Sequence, residues 1–89
     1  MHGAIVNAGT IINENCIINT RSVIEHDCTI DENSHVAPGA VINGHTSVGK
    51  NTFIGSNSVI KQEIKIGNNC FINANYFLKK NLISNKKKL

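Results

Sequence analysis

The chain has no tryptophan, one tyrosine, three phenylalanines and a single proline in 89 residues. With aromatics at 4% it offers little stacking surface for nucleic acid bases. Three cysteines are too few for a disulfide scaffold, and seven glycines with one proline exclude a collagen-like rod. No uncharged apolar run approaches the ~20 residues that cross a bilayer. No basic start followed by an apolar core marks a signal peptide, so a reducing, cytoplasmic setting is expected. What is plentiful is isoleucine and asparagine, 14 of each, within a hydrophobic content of 40% that excludes a disordered chain.

Positive charge is scarce except at one end. Nine Lys+Arg face six Asp+Glu, but Lys79, Lys80, Lys86, Lys87 and Lys88 supply five of the nine. Residues 1–78 carry four basic groups against all six acids, a balance of 4 − 6 = −2. Without a basic stripe on the body, nucleic acid is not expected as a partner. The division predicts a domain over 1–78 and a basic C-terminal tail over 79–89.

Every sixth residue is aliphatic: Val6, Ile12, Ile18, Ile24, Ile30, Val36, Ile42, Val48, Ile54, Ile60, Ile66, Ile72 and Leu78. Thirteen such hits in a chain about one quarter Val, Ile and Leu have odds on the order of 10⁻⁸ for a given frame. Six residues turn a helix through about 600° and leave any face, whereas an even period suits strands. Three positions after each aliphatic, Gly and Asn predominate, with Asp27 and His45 among the other types that tolerate positive φ. Four positions after, the residue is small in ten of twelve cases, Thr10, Cys16 and Ser22 among them. Each hexad therefore reads as a short strand, one large and one small residue inward, then a corner in left-handed backbone.

This pattern, covering residues 5–78, resembles the hexapeptide repeat of the left-handed parallel β-helix acyltransferases. The resemblance implies an all-β fold, a triangular solenoid with 18 residues per coil, so that thirteen hexads make about four coils. On that coil the residue before each aliphatic points outward. The first face then shows Ile5, Val23, Val41, Val59 and Phe77, the second Ile11, Thr29, Ser47 and Lys65, the third Ile17, His35, Phe53 and Phe71. A continuous apolar stripe on the first face implies a partner. Oligomers are mostly symmetric and relatives with this helix are trimers, so a homotrimer is expected.

Cys16, Cys28 and Cys70 all fall in the small inward column. Cys16 and Cys70 stand three coils apart, about 14 Å, beyond disulfide reach, so the cysteines read as buried space-fillers. The histidines say more. The segment Val23-Ile24-Glu25-His26-Asp27-Cys28, followed by Ser34-His35-Val36-Ala37-Pro38-Gly39-Ala40, closely resembles the sialic acid O-acetyltransferase and bacillosamine N-acetyltransferase branch of this superfamily. That resemblance implies His26 as general base, Asp27 as the acid that raises its basicity, and His35 in contact with acetyl-CoA. By the same likeness the pantetheine arm runs along the groove between protomers, past Gly55-Ser56 and, one coil higher, Asn73-Ala74. Lys61, Lys65, Lys79 and Lys80 could meet the CoA phosphates, or belong to a solvated basic surface.

The chemistry is sound on its own terms. An amine or hydroxyl must lose a proton to attack a thioester, and imidazole titrates nearest neutrality. The expected activity is acetyl transfer from acetyl-CoA to an amino or hydroxyl group of a sugar or nucleotide-activated amino sugar, by direct attack. His45 lies in the column Gly9/Asp27/His45/Glu63, where it reads as a charge partner of the two acids. No metal is expected: the γ-class carbonic anhydrases built on such helices need a close His-x₄-His pair, and His26, His35 and His45 lack that spacing. Relatives in this branch hold the sugar nucleotide on a Rossmann-like domain before the helix, and no glycine-rich βαβ segment is present here. The chain is thus expected to act alone in its trimer groove, to work with a separate sugar-binding chain, or to be a catalytically inactive trimeric scaffold.

Overall fold

The computed structural model describes residues 1–89 and contains no helix. Thirteen two-residue strands succeed one another every six residues. They are β1 (Ile5–Val6), β2 (Ile11–Ile12), β3 (Ile17–Ile18), β4 (Val23–Ile24), β5 (Thr29–Ile30), β6 (His35–Val36), β7 (Val41–Ile42), β8 (Ser47–Val48), β9 (Phe53–Ile54), β10 (Val59–Ile60), β11 (Lys65–Ile66), β12 (Phe71–Ile72) and β13 (Phe77–Leu78). A fourteenth, β14, spans Lys87–Lys88.

Through β13 every third strand joins the same sheet, and β14 then adds to β12, giving the orders β1-β4-β7-β10-β13, β2-β5-β8-β11 and β3-β6-β9-β12-β14. All pairings are parallel, and in the repeats each residue meets the one 18 positions on, as in Ile5↔Val23, Ile11↔Thr29 and Ile17↔His35. The three sheets are the faces of the left-handed β-helix that the hexads imply.

The corners explain the abundance of asparagine. Eleven non-glycine residues have positive φ, between 53° and 64°, and seven of them are Asn. Left-handed backbone costs most side chains about 1–2 kcal/mol and Asn less, because its short amide bonds locally. The inward columns fuse into one core, where Ile24, Ile30, Ile42, Ile54, Ile60 and Ile72 are fully buried. The small column does more than fill space. Ser34 Oγ donates to the Gly49 carbonyl at 2.7 Å and accepts from the Thr52 N–H at 3.1 Å, and Ser58 does the same with Asn73 and Tyr76 at 2.6 and 3.1 Å. Cysteine substitutes in that role: Cys28 Sγ donates to the Asn43 carbonyl at 3.2 Å and Cys70 Sγ to that of Ile83 at 3.3 Å. No buried side-chain nitrogen or oxygen is left unpaired.

The two ends differ from the middle. Val6, in the first coil, belongs to the inward column but is 46% exposed. The basic segment after Leu78 is laid onto the stack. Leu82 is buried and bridges Ile66, and β14 pairs with β12 through Phe71↔Lys87 and Ile72↔Lys88. These pairs are 16 residues apart instead of 18, so the hexad between Leu78 and Leu82 has lost two residues. The stack reaches about five turns, with two of its three sheets five strands deep.

Candidate active site

Ile24 ends β4 inward and Cys28 turns inward again, which leaves Glu25, His26 and Asp27 to form the corner between the first and second faces. Asp27 adopts φ 56°, and its N–H donates to the Ala8 carbonyl at 3.0 Å. One coil up, the His45 N–H donates to the His26 carbonyl at 3.1 Å. On this fixed backbone His26 Nδ1 lies 3.0 Å from Asp27 Oδ2. A carboxylate only accepts, so the ring proton sits on Nδ1 and the lone pair on Nε2. Nε2 has no protein partner, and the two side chains are 56% and 53% exposed. The pair is thus an oriented imidazole whose second nitrogen is open to solvent.

Two glycines make room for it. Gly44 lies one coil above His26, and a Cβ there would stand 2.8 Å from Nε2 and 2.9 Å from Cε1. Gly9 lies one coil below Asp27, and a Cβ there would collide with its carboxylate. The 18-residue column of the sequence already sets Gly9 beneath Asp27, and the same offset sets Gly44 above His26, a position sequence reasoning passed over.

His45 joins the same cluster. Its ring is perpendicular to that of His26, centroids 5.0 Å apart, and its Nε2 is 3.9 Å from Asp27 Oδ2. Of the two acids in its column it approaches Asp27 and makes no ion pair with Glu63. The ligating atoms of His26, Asp27 and His45 come within 4.8 Å of one another. The shortest separation is that of a ring N–H on a carboxylate, which accounts for the clustering without an ion.

His35 lies on another sheet, in β6 on the third face. Asn19 Nδ2 donates to its Nε2 at 3.2 Å, so the neutral ring carries its proton on Nδ1. Its ring meets Phe53 edge-on at 5.2 Å, and Phe53 stacks on Phe71 at 5.1 Å. Gly55 and Ser56 belong to a third place, the corner between the third and first faces. A Cβ at Gly55 would stand 2.5 Å from the Ala74 nitrogen, so the two chain segments touch backbone to backbone there. Ser56 lines an open cleft of about 490 Å³ with Thr20, Arg21, Pro38, Gly39 and Asn57. Within one chain, then, His26 and Asp27 are together, Gly55, Ser56 and Ala74 are together, and the two groups occupy different corners.

Three lysines, Lys79, Lys80 and Lys88, line a cleft of about 260 Å³ with Tyr76, Leu78 and Asn81 at the C-terminal end. The thiols are unpaired, and burial pushes Cys28 above its ordinary range, so it stays protonated and unreactive.

Residues 9–44 and 45–75 match the family described as bacterial transferase hexapeptide (six repeats). Among solved structures, the chain is similar to the acetyltransferase domain of PglB from Neisseria gonorrhoeae FA1090, with a TM-score of 0.97 and 28% identity over 98% of this chain and 42% of that one. It is also similar to a histidine-to-asparagine mutant of perosamine N-acetyltransferase from Caulobacter crescentus in complex with CoA and GDP-perosamine. There the TM-score is 0.90 and the identity 28%, over 93% of this chain and 40% of that one. The PglB domain in complex with acetyl coenzyme A shares the fold at a TM-score of 0.86 and 22% identity, over 96% of this chain and 50% of that one. The chain therefore spans about two fifths of the first two.

Proposed function

Because the chain belongs to the bacterial transferase hexapeptide family, we propose that it is an acetyl-CoA-dependent acetyltransferase acting on a sugar or nucleotide-activated amino sugar. The observation that carries this reading is the His26–Asp27 pair, one nitrogen tied to a carboxylate at 3.0 Å and the other free. Such an imidazole can take a proton at Nε2 while the carboxylate stabilises the imidazolium. The acceptor amine or hydroxyl attacks the thioester carbonyl carbon as Nε2 removes its proton. The tetrahedral adduct collapses by breaking the C–S bond, and the CoA sulfur receives the proton from the imidazolium. Acetylated sugar and free CoA leave, and His26 returns to its starting state. The acceptor class is that of the GDP-perosamine bound in the similar transferase.

The site is completed by assembly. The outer stripe of the first face, with Ile5 and Phe77 50% and 52% exposed, suits burial against another copy. In a homotrimer the His26 corner of one copy would face the Gly55-Ser56-Ala74 corner of its neighbour across a groove, with acetyl-CoA between them and His35 against it.

The test is a thermal shift with acetyl-CoA, followed by thiol release with a panel of amino-sugar nucleotides. His26→Ala should lower turnover about 10²–10⁴-fold at an unchanged melting temperature. An intact trimer with no response to millimolar acetyl-CoA would favour a structural scaffold. Binding of acetyl-CoA without turnover on any acceptor would point to a separate sugar-binding chain.

A further inference from the structure

We propose that His45 is a positioning residue for His26, acting through the carboxylate they both approach; the inference rests on the acetyltransferase reading above. Four observations meet at this corner. The His45 ring stands perpendicular to that of His26 at 5.0 Å and walls one side of it. His45 Nε2 faces the same Asp27 Oδ2 that accepts from His26, at 3.9 Å against 3.0 Å. The His45 N–H donates to the His26 carbonyl, which fixes the two residues' relative height. Gly44, the residue before His45, leaves the space that the His26 ring occupies.

The choice of residue at the corners points the same way. Of eleven non-glycine positions with positive φ, only Arg21, Asp27, His45 and Glu63 are not Asn. Three of those four, Asp27, His45 and Glu63, lie in the one column that runs past His26. Asn would serve the backbone better at each. What Asp27 and His45 supply instead is a carboxylate and a second ring, both in reach of His26. His45 limits the rotation of the imidazole and stands against the same carboxylate oxygen that Nδ1 meets. That holds the Nδ1–H tautomer and keeps Nε2 open.

The experiment compares His45→Asn with His45→Gln in the full-length chain. Asn keeps a residue suited to left-handed backbone, so the fold should be retained, and Gln restores an N–H donor at the reach of Nε2. The first readout needs no substrate: long-range ¹H–¹⁵N spectra of the imidazoles. The parent chain should show His26 protonated at Nδ1, His45→Asn a mixture of tautomers, and His45→Gln a return toward the parent. The second is kinetic: His45→Asn should lower kcat about 10–100-fold with KM for acetyl-CoA within about twofold, as expected when a reacting group is misplaced. An unchanged tautomer together with unchanged kcat in His45→Asn overturns the proposal. So does a loss of kcat that merely follows a loss of melting temperature. If the parent chain transfers no acetyl group but the tautomer still responds to His45→Asn, the positioning stands and the acetyltransferase reading fails.

Discussion

At the scale of single residues, the chemistry depends on small groups that leave room. Gly44 has ordinary backbone, so its lack of a side chain serves the imidazole below it and not the turn. Gly44→Ala should therefore keep or slightly raise the melting temperature, since Ala restricts the unfolded chain. Its Cβ would push the His26 ring from its seat, and turnover should fall about 100-fold. Paired melting curves and kinetics check both halves, and a loss of stability matching the loss of rate would argue against a specific effect. Cys28 gives a second residue-scale prediction. Burial holds its thiol protonated in the folded state above 9.0, where the unfolded thiol ionises. The stabilisation is full below that pH and is lost as pH rises through the higher folded value. Urea midpoints should thus fall above about pH 9, and less steeply in Cys28→Ser than in the parent chain. His26 and Asp27 were legible in the sequence because they are neighbours within a specific motif. The column of Gly9 and His45 was legible too, but the room Gly44 leaves and the contact of the His45 ring with His26 were not, because both depend on where an imidazole lies after the coil has closed.

At the scale of the element, the hexad was legible for a plain reason: its corner, its large residue and its small residue each have a distinct chemical demand. The hydroxyl in the small column ties successive coils. Ser58→Ala would strand the Asn73 carbonyl and the Tyr76 N–H, bonded at 2.6 and 3.1 Å, inside the wall. The cost should be about 1–3 kcal/mol in chemical denaturation. Because the loosened coil carries Ala74, acetyl-CoA affinity should fall too, which calorimetry would measure, while the His26 tautomer stays as it was. The C-terminal turn escaped the same logic. After Leu78 the six-residue count lands on Ser84, a polar residue in a lysine-rich stretch, so periodicity alone separates 79–89 as a tail. The chain instead drops two residues, places Leu82 over Ile66, and resumes the frame so that Asn85 turns the next corner at φ 64°. A period search cannot see a coil of 16, whereas main-chain pairing absorbs it easily, because the shortened part is outside any strand.

At the scale of the whole molecule, the proposed acid–base pair and the proposed CoA contacts lie on different corners of one chain, and in the proposed trimer the apolar first face would join them. Val41 is the centre of that stripe, paired in register with Val23 and Val59 above and below. It is outward and half-buried, so Val41→Glu should leave the core isoleucines undisturbed and the circular dichroism unchanged. Against a symmetric partner the same substitution buries a carboxylate in every copy, at several kcal/mol each without a counter-charge. Sedimentation should then show monomer at micromolar concentration, where the proposal expects the parent chain to be a trimer. Acetyl transfer should fall at least tenfold even though His26, Asp27 and Gly44 are intact, because the neighbour's corner has gone. Ser47→Glu on the polar second face is the control, and it should alter neither mass nor rate. A parent chain that sediments as a monomer and still turns over would show that one copy brings both corners to its substrate, and the apolar stripe would then need another occupant.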